Sequence, residues 1–159
     1  MTSPHFGSRL RPLTVEGMSS ENRALRVAIV GAGPAGIYAA DALMKHDDLA
    51  ERGVSIDLYE RMPAPFGLIR YGVAPDHPRI KGIINALHKV LDKPQIRLLG
   101  NIDYGTDITL ADLQSHYDAV IFSTGATDDR GLDIPGVDLE RSYGAGMFSF
   151  NAGDGRCAT

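Results

Sequence analysis

VAIVGAGPAGIYAAD, running from Val27 to Asp41, decides the fold of this chain. A β-prone apolar run ends at Val30, glycines follow at Gly31, Gly33 and Gly36, and a helix-prone segment opens at Pro34. The spacing predicts a strand over Leu25 to Val30 and a helix from Pro34 to about Lys45. The glycines play separate parts. Gly31 permits the tight turn, Gly33 lets backbone approach a pyrophosphate, and Gly36 allows the helix to pack close to the strand. Pro34 suits the first helical position, and the helix N-terminus offers partial positive charge to an anion. A second strand is expected over Val54 to Tyr59, and Glu60 follows it, 24 residues after Gly36. A carboxylate there accepts hydrogen bonds from an adenosine ribose and repels a 2′-phosphate, so the site is expected to take FAD or NAD rather than NADP. Arg61, next in the chain, works slightly against that choice. The bland alternative is a strand-to-helix turn with a surface glutamate.

Beyond Glu60 lies PAPFGLIRYGVAPDHPRIKG, Pro63 to Gly82, a loop stiffened by its prolines at the mouth of the nucleotide fold. Ile80, Ile83, Ile84, Leu87, Val90 and Leu91 then recur at helical spacing, which predicts a helix from about Arg79 until Pro94 stops it. Ile96 to Leu99 is expected as a strand, Thr109 as the cap of a short helix through His116, and Ala119 to Ser123 as a buried strand. Strands alternating with helices imply a parallel α/β sheet in a single domain, residues 24–145. Residues 1–23 are expected to be a disordered leader and 146–159 a divergent or truncated tail.

Composition excludes several classes. With 159 residues, 43% hydrophobic and 23% charged, the chain has the make-up of an ordinary globular domain with one core. Its longest uncharged run, Val27 to Ala40, is interrupted by Gly31, Gly33, Pro34 and Gly36 and falls short of the roughly 20 apolar residues a membrane helix needs. Residues 1–26 lack the apolar core of a secretory signal. Cys157, the single cysteine, rules out an intrachain disulfide and the paired thiols of a disulfide reductase, and a reducing cytoplasm fits best. Net charge is −4, unevenly spread: Arg61 to Arg97 holds seven Lys/Arg against two Asp, and Asp103 to Glu140 nine acids against one Arg. Such a basic stretch suits an acidic protein partner or simply a solvated face, and nothing points to nucleic acid. His5, His46, His88 and His116 show no metal-ligand spacing, so no metal site is expected.

VAIVGAGPAGIY, YERMPAPFGLIRYGVAPDHPRIKG, GNIDYG and STGA together resemble the N-terminal part of the adrenodoxin reductase-like ferredoxin-NADP reductases, over about residues 26 to 136. The PFGLIRYGVAPDHP block discriminates, because glutamate synthase small subunit-like flavin oxidoreductases share its GLxxYGxP core but not the APDHP continuation. The resemblance implies an incomplete Rossmann-like sheet of the FAD-binding, glutathione reductase-like type. It implies FAD as cofactor and NADP(H) as co-substrate on a second domain. Hydride passes to the flavin, and electrons leave singly to a ferredoxin or similar iron-sulfur protein. Carried over by motif, the pyrophosphate lies against backbone around Gly31, Gly33, Ala35 and Gly36, the ribose on Glu60, and further FAD contacts at Leu68, at Tyr104 through its backbone, and near Gly125. Phe66 and Ile69 are either flavin wall or plain core. His77, held between Pro75 and Pro78, matches a family histidine near flavin and nicotinamide and is expected to orient or polarise that redox centre.

No second glycine-rich fingerprint follows residue 126, and the closing segment of the family's FAD domain does not appear, so the resemblance covers only an N-terminal portion. An apolar sheet edge left without that segment predicts weak flavin retention and poor solubility. Three functions compete at this point: an FAD-dependent ferredoxin-NADP oxidoreductase, a nucleotide-binding fragment without turnover, and an NAD dehydrogenase domain that fits the fingerprint alone.

Overall fold

Four strands, β1 (Leu25–Val30), β2 (Val54–Glu60), β3 (Ile96–Gly100) and β4 (Ala119–Phe122), hydrogen-bond into one parallel sheet in the order β3-β2-β1-β4. The computed structural model describes residues 23–73, 79, 82–126 and 130–144. The expected leader, apart from Arg23, and the expected tail lie outside the described residues. Register is continuous across the middle of the sheet, with Ile29 opposite both Leu58 and Ile121. Val27 to Val30 are buried on both faces, as a central strand of a parallel sheet requires.

Helices cover the two faces unequally. On one, α1 (Pro34–Lys45) lays Ile37 and Ala40 against Val27, Ile29, Ile56 and Leu58. A later helix, α4 (Ile84–Leu91), adds Leu87 and Val90 to the same core, with Ile83, Ile84 and Leu91 partly buried beside them. From Ile83 onward the apolar stripe packs where its spacing placed it. The helix starts at Ile84 rather than near Arg79, Ile80 lies outside the described residues, and the C-cap is Asp92, just before Pro94. Two short helices were not legible: α2 (Asp47–Arg52), which buries no residue, and the four-residue α3 (Leu68–Tyr71) inside the proline-rich loop. Asp41 on α1 accepts from Lys45 at 2.6 Å and from Lys93 at 2.7 Å, which ties α1 to the turn after α4.

The other face is covered by α5 (Leu110–His116), whose Leu113 packs on Ala28, Val30 and Tyr59. Thr109 caps it as expected, in a full capping box with Asp112. Nearby, buried Asp57 accepts from Arg97 at 2.7 and 2.9 Å and from the Tyr117 hydroxyl at 2.5 Å, and Tyr117 shares a hydrogen bond of 2.7 Å with Tyr59. Burial, then the bond to Asp57, pushes the Tyr117 phenol well above its ordinary range, so it stays a donor at any physiological pH. Among the described residues β4 is an edge strand, and its Phe122 is 48% exposed. Residues 130–144 are exposed throughout, Leu132, Ile134 and Leu139 included.

Ion pairs close the sheet at its lower end. Asp118 accepts from Arg23 at 2.7 Å and from the Arg26 amide at 2.9 Å. The Arg23 hydrogen bond holds the Asp118 carboxyl below the usual range, Lys45 and then Lys93 do so for Asp41, and the Thr109 side chain for Asp112. Folded values below unfolded ones mean that these groups add stability above about pH 4 and surrender it as pH falls through the folded values. Thermal melts followed by circular dichroism should therefore fall steeply below about pH 4. Asp118→Asn should lower Tm by about 3–6 °C near neutrality, with the gap to wild type closing at the acid end. A wild-type Tm that stays level throughout the acid range contradicts this.

Candidate functional site

Between β1 and β4 the sheet changes direction of growth, since β2 and β3 lie on one side of β1 and β4 on the other. In open α/β sheets ligands bind beyond the carboxyl ends of the strands at such a switch point. Here those ends carry Gly31 to Gly36 after β1 and Ser123 to Ala126 after β4.

Only glycine fits at two points of the turn after β1, one crowded by the end of β4 and the other by the turn's own backbone. Gly31 has φ +105°, and a β-carbon on it would lie 2.5 Å from the Ser123 carbonyl oxygen. A β-carbon on Gly36 would lie 2.1 Å from the Gly31 carbonyl oxygen and 2.6 Å from Ser123 Oγ. Gly33 differs: its backbone is extended, and a β-carbon there would meet nothing within 4 Å. The protein's own packing does not require glycine at that point, and the open space faces the helix N-terminus. Pro34 has no N–H, and the first helical bond runs from the Ile37 amide to the Gly33 carbonyl at 3.1 Å, so the Ala35 and Gly36 amides lie ahead of the intrahelical ladder. Ala35 is exposed and Gly36 buried.

Neighbouring elements hold the turn by backbone and side chain. The Gly31 amide donates to Tyr59 O at 2.8 Å, and the Ala32 carbonyl accepts from the Phe66 amide at 2.9 Å. Ser123 donates from its amide to Val30 O at 2.8 Å and from Oγ to Gly31 O at 2.9 Å. Glu60, only 9% exposed, accepts from the Ala32 amide on Oε2 at 2.9 Å and from the Met62 amide on Oε1 at 3.1 Å. A carboxylate has about four acceptor sites, so two remain for hydroxyls of a ligand.

The proline-rich loop folds back onto this turn. Gly67, at φ +47°, comes close enough that its β-carbon would lie 3.3 Å from the Gly33 α-carbon. Phe66 is fully buried at φ +90°, a sparsely populated conformation for a non-glycine residue, with its ring 4.7 Å from that of His88 and the Arg70 guanidinium 5.3 Å away. Phe66 and Ile69 are thus core, whereas Leu68 between them stands 68% exposed. Tyr104 forms an isolated bridge with Ile108 and sets its ring edge-on to Phe122 at 4.9 Å, so its side chain belongs to the packing of the second face. Gly125 follows β4 at φ +70° with open space around its β-carbon position. His77 lies outside the described residues. Among the described residues no group of three His, Cys, Asp or Glu gathers as metal ligands. Ser123 was not singled out from the sequence, which drew attention to Gly125 and Ala126 in the same STGA block.

A parallel sheet with a glycine turn, a helix N-terminus and a buried acid at its switch point defines a Rossmann-like dinucleotide-binding unit. The family model described as an NAD(P)-binding Rossmann-like domain matches residues 29–99. NADPH:adrenodoxin oxidoreductase, mitochondrial, from Drosophila melanogaster is 48% identical over 105 residues, 66% of this chain and 22% of that protein. NADPH-ferredoxin reductase FprA from Mycobacterium leprae is 46% identical over 105 residues, 65% of this chain and 23% of that protein. The solved structure of Mycobacterium tuberculosis FprA in complex with NADPH superposes with a TM-score of 0.76 at 42% identity, covering 81% of this chain and 29% of that one. The chain is thus similar to NADPH:adrenodoxin oxidoreductases and NADPH-ferredoxin reductases over about two thirds of its own length, and it spans less than a quarter of the length of these curated relatives.

The three fingerprint glycines should separate on substitution. Gly31→Ala and Gly36→Ala each force a β-carbon into backbone and should destabilise by about 2–4 kcal/mol or fail to fold. Gly33→Ala should melt within about 2 °C of wild type, because its space is open and its φ ordinary. Equal Tm losses in all three variants, read by thermal denaturation, would contradict this assignment.

Proposed function

We propose that this chain holds FAD at the switch point between β1 and β4, as the N-terminal portion of an enzyme that moves electrons from NADPH through FAD to a ferredoxin-like iron-sulfur protein. The names of the fly and mycobacterial relatives support the reaction. The buried carboxylate of Glu60, hydrogen-bonded to the Ala32 amide at 2.9 Å, supports the cofactor most directly. Its charge suits the hydroxyls of an adenosine ribose and opposes a 2′-phosphate, so NADP(H) is assigned elsewhere in the full protein.

The chain's residues fit the group. The amides of Gly33, Ala35 and Gly36 lie ahead of the hydrogen-bond ladder of a twelve-residue helix, beside the open space at the Gly33 β-carbon position, and suit a pyrophosphate. Exposed Leu68, beside Gly33 through Gly67, offers an apolar surface to the flavin end, and the turn at Gly125 follows β4 at the same switch point. Tyr104 contributes through its backbone only, since its ring is engaged with Phe122. His77 remains the proposed residue that orients the redox centre, and its test is the rate of NADPH-driven flavin reduction in the full-length enzyme. Bound FAD supplies the conversion of a two-electron hydride into single electrons. The domain is proposed to run over residues 24–145. A reducing compartment is proposed, the cytoplasm, or the mitochondrion that the fly relative's name gives.

A second reading is dinucleotide binding without turnover. Reconstitution separates the possibilities. Titrated with FAD, the chain should show saturable binding by flavin fluorescence, and Glu60→Ala should raise the Kd for FAD at least about tenfold. NADP+ should fail to compete. Tight NADP+ binding, or equal FAD affinity in Glu60→Ala, would overturn the cofactor assignment. Ferredoxin reduction by NADPH, assayed on the full-length protein, decides between turnover and binding alone.

A further inference from the structure

One peptide of the phosphate turn is held at both ends. The Gly31 carbonyl accepts from Ser123 Oγ at 2.9 Å, and the amide of the same peptide, on Ala32, donates to Glu60 at 2.9 Å. Ser123 and Glu60 stand on β4's end and β2's end respectively, on opposite sides of β1. A peptide plane has one rotational freedom relative to its neighbours, and opposed bonds at its oxygen and its nitrogen remove it. The next peptide is also fixed, since Ala32 O accepts from Phe66 N at 2.9 Å. With these planes set, the Gly33 amide and the following helical amides have a defined direction before any ligand arrives.

We propose that Ser123 is a positioning residue for the dinucleotide site: its hydroxyl locks the Gly31–Ala32 peptide against Glu60 and so pre-orients the amides that receive the pyrophosphate. This rests on the reading that the turn binds a dinucleotide. Ser123 acts in this proposal through the turn it bonds and not as a ligand contact. Its Oγ also lies 3.2 Å from Val30 O, so it reaches both carbonyls that close the strand. Without the hydroxyl, Gly31 O loses its side-chain donor, the plane can tilt, and the bond from Ala32 to Glu60 lengthens. Binding then requires ordering that the wild-type turn already has, and affinity falls.

The 159-residue chain itself is the test material, as wild type, Ser123→Ala, the nearly isosteric Ser123→Cys, and Ser123→Thr, which keeps the hydroxyl. Hydrogen exchange at the Ala32 amide is measured without ligand, and the Kd for FAD by flavin fluorescence. The alanine and cysteine variants should exchange at Ala32 about tenfold faster and bind FAD about five- to tenfold more weakly, while threonine stays within about twofold on both. Wild-type exchange and affinity in the alanine variant would overturn the proposal. So would a threonine variant as impaired as alanine, because shape rather than the hydroxyl would then matter. If wild type takes up no FAD, the dinucleotide reading fails, and the exchange comparison still decides whether Ser123 locks the turn.

Discussion

Everything in the candidate site depends on the close passage of β4's end over the turn after β1. That approach puts Ser123 within hydrogen-bonding distance of Val30 and Gly31, and it excludes a β-carbon at Gly31. At Gly36 the turn's own Gly31 carbonyl excludes one, and the Ser123 hydroxyl that bonds that carbonyl crowds the same point. The site is a property of the sheet order, because only a parallel neighbour on the far side of β1 can bring its terminus to that point.

Two constraints of different kind then meet at Ala32. Its amide satisfies a buried carboxylate, and its carbonyl anchors the proline-rich loop through Phe66. A buried charge is costly unless hydrogen-bonded, and Glu60 meets that condition with backbone amides of the two loops it joins, leaving acceptor capacity for a ligand. The strained φ of Phe66 has a matching account: burying its ring among His88, Arg70 and the core offsets the conformational cost, and the next side chain, Leu68, is thereby turned outward.

Local chemistry made much of this legible. β1 and α1 have the bounds the glycine fingerprint predicts, and Thr109 caps its helix as expected, while the reciprocal bond from Asp112 emerges only in the structure. α2 escaped notice because it buries nothing and therefore carries no apolar period, and α3 because four residues between glycines show none either. Within PFGLIR, alternation could not say which side chains face the core. The answer comes from the left-handed backbone at Phe66 and Gly67, which reverses the chain. Ser123 was illegible for a different reason: its partners lie 92 and 93 residues away, and no short-range pattern encodes them.

The central claim is that the open end of this turn receives the pyrophosphate of FAD. Titrating isotope-labelled chain with FAD and following backbone amide shifts tests it most directly. The account predicts the largest changes at Gly33, Ala35 and Gly36, with Ala32 following. Unmoved amides there, with changes gathered instead at the hollow lined by Met44, Leu49 and Gln95 at the opposite end of the sheet, would contradict it.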